Sequence, residues 1–170
     1  MDRPRTRYAR SGELAIAYQV HGSGDRDLVL NSGVASNLET VWDIPEAARF
    51  FERLGGFARV IRFDRRDTGL SDPIRDDLTL EAHADDALAV IDAAGSEQPV
   101  LMGSLDGARS LALLAATRPK RVGRLIAISP GRKASPPPRS SSSSRWSRPS
   151  LSSSTTRTQI CSPLGPRLGG

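Results

Sequence analysis

The sequence is poor in cysteine, in long apolar runs and in aromatic residues. Its only cysteine, Cys161, has no partner for an internal disulfide, which excludes a disulfide-stabilised scaffold and favours a reducing compartment. No apolar run approaches the about 18 residues of a membrane span. No apolar leader segment follows the charged N-terminus, so we expect a cytoplasmic protein without membrane contact. Aromatic residues make up only 5% of the 170, so a core must rely on Leu, Ile, Val and Ala.

Acidic residues are absent from the last third of the chain. All 19 acidic residues precede position 107, whereas seven of the 24 basic residues lie in 130–170. The net charge of +5 therefore belongs to the C-terminal segment, and residues 1–129 are slightly acidic. Because the basic charge lies outside the part that can fold, we expect no nucleic-acid binding by the folded part.

The composition changes abruptly at residue 130. Residues 130–170 contain Pro136–Pro138 and the serine run Ser140–Ser144 among Ser, Arg and Pro, with few apolar residues. Such a segment buries too little surface to offset its ordering entropy, so we expect a disordered tail after a domain over 1–129. A solvated tail, an arginine-serine arm for RNA or other acidic partners, and an out-of-frame translation product all remain open. The encoding DNA read in all three frames tests the last.

Apolar strands alternate with amphipathic helices before residue 130, and a glycine-rich turn at 22–25 separates the first two strands. We predict strands over 14–20, 28–31, 59–63, 100–102 and 125–128, and helices over 44–54, 79–94 and 106–117. Gly55 and Gly95 are expected to end the first two helices. This alternation predicts an α/β fold, with a mostly parallel sheet and helices on its faces.

Several stretches resemble the α/β-hydrolase family, in order and at compatible spacing, in particular bacterial members found with class III adenylate cyclases. The stretches are Arg7–Gly12, Ile16–Val20 with Gly22, Ser36–Glu39 with Trp42, Arg59–Asp72 and Ala115–Val122. The resemblance covers residues 5 to 129 and implies an incomplete α/β-hydrolase domain whose ancestral activity was hydrolysis of esters or related acyl compounds. Family members continue with further strands, a lid and helices. We therefore expect an exposed last strand and self-association or aggregation through that edge.

The resemblance places the nucleophile elbow, G-x-S-x-G in the family, at Gly103-Ser104-Leu105-Asp106-Gly107. Both glycines are present, but the nucleophile position holds Leu105. Ser104 and Asp106 each lie one residue from the apex. Ser104 is therefore expected to be a small turn residue, and Asp106 to favour the helix N-terminus rather than to attack as a carboxylate. The amides of Val34 and Asp106 remain as oxyanion donors, because any residue type supplies them.

The family's triad continues with an acid and then a histidine, and neither follows the elbow here. No Asp or Glu comes after Asp106, and no His comes after His83. We expect His21 to be a solvated turn residue and His83 to lie at the surface or the edge of the core. Glu81, Asp85 and Asp86 are expected to form a solvated helix face, so we predict no metal site and no cofactor.

Four functions remain open at this point. The first is a degenerate or truncated hydrolase without turnover. The second is a ligand-sensing or interaction module on the same scaffold, with a small apolar ligand. The third is an active enzyme completed by another subunit or by an unconventional nucleophile, and the fourth is nucleic-acid binding through the tail.

The resemblance places a glycine between Arg66 and Thr68, where this chain has Asp67. If the turn requires a positive φ there, aspartate tolerates it better than most residues but less well than glycine.

Overall fold

A computed structural model describes residues 3–33, 36–74 and 78–129 of the chain. Six strands form one sheet in the order β1-β2-β4-β3-β5-β6. Their bounds are β1 Arg7–Ser11, β2 Leu14–His21, β3 Asp27–Asn31, β4 Arg59–Phe63, β5 Val100–Ser104 and β6 Arg124–Ile128. The predicted α/β class with a mostly parallel sheet is confirmed.

The sheet combines an antiparallel edge with a parallel body. β1 and β2 form a hairpin, and β2 also runs antiparallel to β4. The pairs β4–β3, β3–β5 and β5–β6 are all parallel. The turn at 22–25 does not join neighbouring strands, because β4 lies between β2 and β3. A Cβ on Gly22 (φ +79°) would lie 2.6 Å from Gly55 Cα, so glycine is required where this turn crosses the first helix.

Within the described ranges, three α-helices connect the strands. They are α1 Pro45–Gly55, α2 Leu80–Ala93 and α3 Leu105–Thr117, and short 3₁₀ turns lie at Thr40–Asp43 and Pro119–Arg121. Thr79 caps α2, its side-chain oxygen accepting a hydrogen bond from the amide of Ala82 at 3.2 Å. Gly95, at φ +66°, ends α2 as predicted. α1 ends at Gly55 as predicted.

The core lies on both faces of the sheet, unequally. On one face α2 and α3 cover a large cluster that includes Val29, Ile61 and Leu101. The neighbouring strand residues point the other way, and there α1 covers a small cluster that includes Leu28 and Val60. The sheet is therefore well packed on one face only.

β6 forms one end of the sheet, and within the described ranges it pairs only with β5. All five of its residues are exposed, including Leu125, Ile126 and Ile128. The expected exposed last strand is confirmed. Self-association through it stays a prediction. No helix in the described part of the chain is long and apolar enough to span a membrane.

The C-terminal segment 130–170 lies outside the described residues, as do positions 34–35 and 75–77. The predicted domain boundary at residue 129 and the tail's expected disorder therefore stay predictions.

Candidate active-site elbow

The turn from β5 into α3 is built by close backbone packing. A Cβ on Gly103 would lie 2.6 Å from Ala108 Cα, and a Cβ on Gly107 would lie 2.6 Å from the backbone oxygen of Asn31. Real Cβ atoms do not approach other heavy atoms so closely. Both glycines are therefore required for α3 to pack against β3 and β5 directly after the turn.

Leu105 occupies the apex of this turn. Its φ is +52°, a left-handed conformation that costs a non-glycine residue about 1–2 kcal/mol. Its side chain is 53% exposed, so solvent reaches a hydrocarbon at the position where the family presents a nucleophile. The strain of the elbow is retained, whereas the reactive atom is absent.

Ser104 precedes the apex in extended backbone, with φ −118° and ψ 146°. Its hydroxyl donates a hydrogen bond of 3.2 Å to the carbonyl of Ser32, the residue after β3. The side chain thus joins the ends of two neighbouring parallel strands. This contact directs the hydroxyl proton of Ser104 at a backbone carbonyl.

Asp106 follows the apex in the first turn of α3, and its carboxylate pairs with the guanidinium of Arg65. One carboxylate oxygen also lies against Gly33, so closely that any Cβ at position 33 would clash with it. Arg65 follows β4 and is 6% exposed. The negative charge favours the helix N-terminus as expected, and it also contacts a buried cation that the sequence reasoning did not find.

The loop after β3 is held by two side chains. Asn31 is fully buried and accepts a hydrogen bond from the amide of Gly33 at 3.0 Å. Asp64, at the end of β4, accepts hydrogen bonds from the hydroxyl of Ser36 at 2.5 Å and the amide of Leu38 at 3.2 Å. Val34, the predicted second oxyanion donor, lies outside the described residues. The hydrogen bonds to Gly33 and Ser36 hold the described residues on either side of positions 34–35.

Asp64 also organises the turn after β4. It accepts from the amide of Leu70 at 3.0 Å, and its carboxylate fills the space beside Gly69, at φ +57°. Asp67 has φ +62°, so the turn does require a positive φ at this position. Aspartate tolerates this conformation better than most residues because its short side chain bonds locally. The turn is thereby retained without the family's glycine.

The expectation for His21 is wrong. This residue is 4% exposed, and its Nε2 lies 3.1 Å from the carbonyl oxygen of Phe51. Its ring also packs edge-on against Trp42, with centroids 5.2 Å apart. Burial lowers the pKa of His21, the hydrogen bond to Phe51 opposes that effect, and the charge of Arg62 lowers the pKa further. The aromatic neighbours come from distant parts of the chain and bury what looked like a turn residue.

His83 is also buried, which corrects the expected surface or edge position. It lies on the face of α2 that packs against the charged residues after β4. Burial and then the charge of Arg65 lower the pKa of His83, and its Nδ1 has no hydrogen-bond partner among the described residues.

The expected solvated acidic face of α2 is wrong for one of its three members. Glu81 and Asp85 are exposed, but Asp86 is fully buried and accepts two hydrogen bonds from Arg66, at 2.7 and 2.6 Å. The bond to Asp86 raises the pKa of Arg66 above its ordinary value. No cluster of potential metal ligands occurs within the described ranges.

Sequence reasoning missed three arginines in and after β4. Arg65 and Arg66 pair with carboxylates from α3 and α2, as described above. Arg62 is buried against the ring of Phe51, with its guanidinium carbon 3.8 Å from the ring centroid, and burial lowers its pKa to about 10. Three arginines within five positions around a buried strand end were the available signal.

A small cavity lies beside the elbow, on the face that α1 covers. Its volume is about 150 Å³, and it is lined mainly by apolar residues of α1 and the strand ends, among them Phe50, Phe51, Met102 and Ile128. A volume of about 150 Å³ accommodates a molecule the size of benzene. Ligand sites for larger molecules enclose about 300–1,000 Å³.

Comparisons with known proteins identify the family of the chain. The family model described as alpha/beta hydrolase fold matches residues 28–158, past the end of the resemblance expected at residue 129. "Putative carbamate hydrolase RutD" of Caulobacter sp. (strain K31) is 29% identical over 116 residues, which cover 66% of this chain and 41% of that protein.

Solved structures give the same result. E-2-(acetamidomethylene)succinate hydrolase is 26% identical with a TM-score of 0.61, over 74% of this chain and 44% of that one. An alpha/beta hydrolase from Sphaerobacter thermophilus DSM 20745 is 31% identical with a TM-score of 0.59, over 74% of this chain and 45% of that one. The chain spans less than half the length of these relatives. Because the family model matches more than half of the residues, this chain belongs to the α/β-hydrolase family.

Proposed function

We propose that the protein is a degenerate, non-catalytic α/β-hydrolase whose ancestors hydrolysed esters or related acyl compounds. The observation that carries this proposal is Leu105 at the apex of the elbow, at φ +52° and half exposed. Covalent acyl transfer begins with attack by an oxygen or sulfur nucleophile, and a hydrocarbon side chain supplies none. This argument concerns the apex position alone.

The neighbours of the apex do not replace the nucleophile. The hydroxyl of Ser104 donates to the carbonyl of Ser32, and the carboxylate of Asp106 is paired with Arg65. Within the described part of the chain, neither histidine side chain makes a hydrogen bond to an elbow residue: His21 packs among aromatic rings, and His83 is buried within range of the charges of Arg65 and Asp106. These contacts support a scaffold that keeps the family's shape without its chemistry.

A fluorophosphonate probe, which labels activated serines, tests the proposal. We expect no labelling of the purified protein. Labelling that is lost in Ser104→Ala but kept in Ser23→Ala, an exposed serine far from the elbow, would show that Ser104 acts as a nucleophile and would contradict the proposal.

A second candidate is a ligand-sensing module, favoured by the apolar cavity of about 150 Å³ beside the elbow. The resemblance of several stretches of the sequence to hydrolases found with class III adenylate cyclases adds support for a sensory setting. The volume restricts the ligand to a small apolar molecule. Benzene or toluene should then raise the melting temperature of the protein, and Met102→Trp, which fills the cavity, should remove the effect.

A further inference from the structure

The guanidinium of Arg62 is a buried charge with unused hydrogen-bond donors. Arg62 is 3% exposed, and its Nε and Nη1 have no hydrogen-bond partner among the described residues. Burial lowers the pKa of Arg62 to about 10, and the charge of Asp64 opposes this effect only in part, so the group stays charged near neutral pH. A buried charge without a paired counter-charge is costly, and such groups occur preferentially at binding sites.

The nearby carboxylate of Asp64 does not satisfy these donors. It accepts hydrogen bonds from the hydroxyl of Ser36 and from the amides of Leu38 and Leu70, and none from Arg62. Arg62 therefore gains from an anion that the described residues do not supply.

The strand register places Arg62 in one row with the floor of the cavity beside the elbow. Arg62 on β4 pairs with Leu30 on β3, and Leu30 pairs with Met102 on β5. Residues in register on adjacent strands lie about 4.8 Å apart and project from the same face of the sheet. Leu30 and Met102 both line the cavity, so Arg62 lies one strand away from it.

Phe51 contacts both Arg62 and the cavity. Its ring centroid lies 3.8 Å from the guanidinium carbon of Arg62, and the same residue lines the cavity. None of the nine described residues around the cavity is charged. An anion in van der Waals contact with Phe51 on the cavity side lies about 7 Å from the guanidinium. At this separation and an effective dielectric constant of about 20, the attraction between unit charges increases affinity about tenfold or more.

We propose that this cavity takes a short-chain carboxylate and that Arg62 is the residue that selects the anion. This inference rests on the ligand-sensing module proposed above and narrows its ligand to a small apolar molecule with one negative charge. The hydrocarbon chain lies over Leu30 and Met102, and the carboxylate is directed towards Arg62. An uncharged lining alone disfavours a carboxylate relative to an amide of the same shape, because burial of a charge is costly. A preference for the anion therefore requires Arg62.

Sodium butyrate and butyramide test the proposal, because both have as many non-hydrogen atoms as benzene and they differ from each other mainly in charge. Butyrate should raise the melting temperature of the wild-type protein in a saturable way, beyond the effect of equal sodium chloride. The dissociation constant obtained from the concentration dependence should be about tenfold lower for butyrate than for butyramide. Equal binding of the two compounds, or tighter binding of butyramide, would overturn the proposal.

Substitutions assign the preference to one residue. In Arg62→Met the preference for butyrate should disappear, while toluene should still raise the melting temperature. Arg53→Met, which removes an exposed positive charge of α1 outside the cavity, should keep the wild-type preference. If Arg62→Met does not fold, Arg62→Gln is the second neutral variant, with the same expected result. A preference for butyrate that survives in the neutral variants would overturn the role of Arg62.

Toluene separates entry into the cavity from the preference for charge. If toluene gives no shift in the wild-type protein, no small apolar ligand enters the cavity, and the ligand-sensing module fails together with the carboxylate ligand. A toluene shift with equal binding of butyrate and butyramide would leave the ligand-sensing module standing and overturn only the carboxylate ligand.

Discussion

The strain at position 105 predicts a reversal of the usual preference between alanine and glycine. In a right-handed helix, glycine is less stable than alanine by about 0.5–1 kcal/mol, because glycine loses more backbone entropy on folding. At φ +52° the steric cost falls on any residue with a Cβ and amounts to about 1–2 kcal/mol. Leu105→Gly should therefore be more stable than Leu105→Ala, by about 1 kcal/mol after the entropy is subtracted.

Comparing these two variants removes the side-chain contribution, because both lack the Leu105 side chain beyond Cβ. The control is Ala116→Gly, at an exposed position within α3, which should lose about 0.5–1 kcal/mol. Urea unfolding measures all three, and a 1 kcal/mol difference corresponds to a shift in melting temperature of about 2–6 °C for a domain of this size. If Leu105→Ala is as stable as Leu105→Gly or more stable, the apex is not strained and the elbow geometry described above is wrong.

Three further perturbations test other parts of the structure. Asp86→Ala leaves the buried guanidinium of Arg66 without its carboxylate and should lower the free energy of unfolding in urea by about 3–5 kcal/mol. Asp92→Ala removes one partner of an exposed ion pair and should have little effect. Equal losses in the two variants would contradict the burial of the Arg66–Asp86 pair. The pKa of His21 is lower in the folded state than in the unfolded state, so the unfolded state binds more protons and stability should fall as the pH drops below about 6.5. His21→Gln should flatten part of that dependence, and an unchanged slope would refute the assignment. Ile126→Lys on the exposed edge should reduce self-association in light scattering, whereas Leu78→Lys, equally apolar and exposed but away from the edge, should not.

The order of the elements was predictable because each depends on neighbours in sequence. β4 matches its predicted bounds of 59–63, and α2 at Leu80–Ala93 lies within its predicted bounds of 79–94, since hydrophobic periodicity is a local signal. The antiparallel pairing of β2 with β4 was not predicted, because no local pattern states which strand lies next to which.

In the candidate site, too, the features with local sequence signals were predictable and the contacts between distant parts of the chain were not. The elbow was located because the resemblance to the family points to a G-x-S-x-G motif, and Gly103 and Gly107 stand at its two glycine positions. The partners of the surrounding polar groups were missed, because they lie far away in sequence. Arg65 and Asp106 are 41 positions apart, and His21 and Phe51 are 30 positions apart. A histidine beside glycines looks solvated until the aromatic residues that cover it are placed by the fold.

The most direct test of the central claim is ester turnover by homogeneous protein. With p-nitrophenyl acetate as substrate, we expect wild-type protein and Ser104→Ala to show the same rate as buffer with an equal concentration of unfolded chain. Turnover by the wild type that a single substitution within residues 103–107 abolishes, while the fold is retained, would show that the elbow still carries out acyl transfer and would contradict the account.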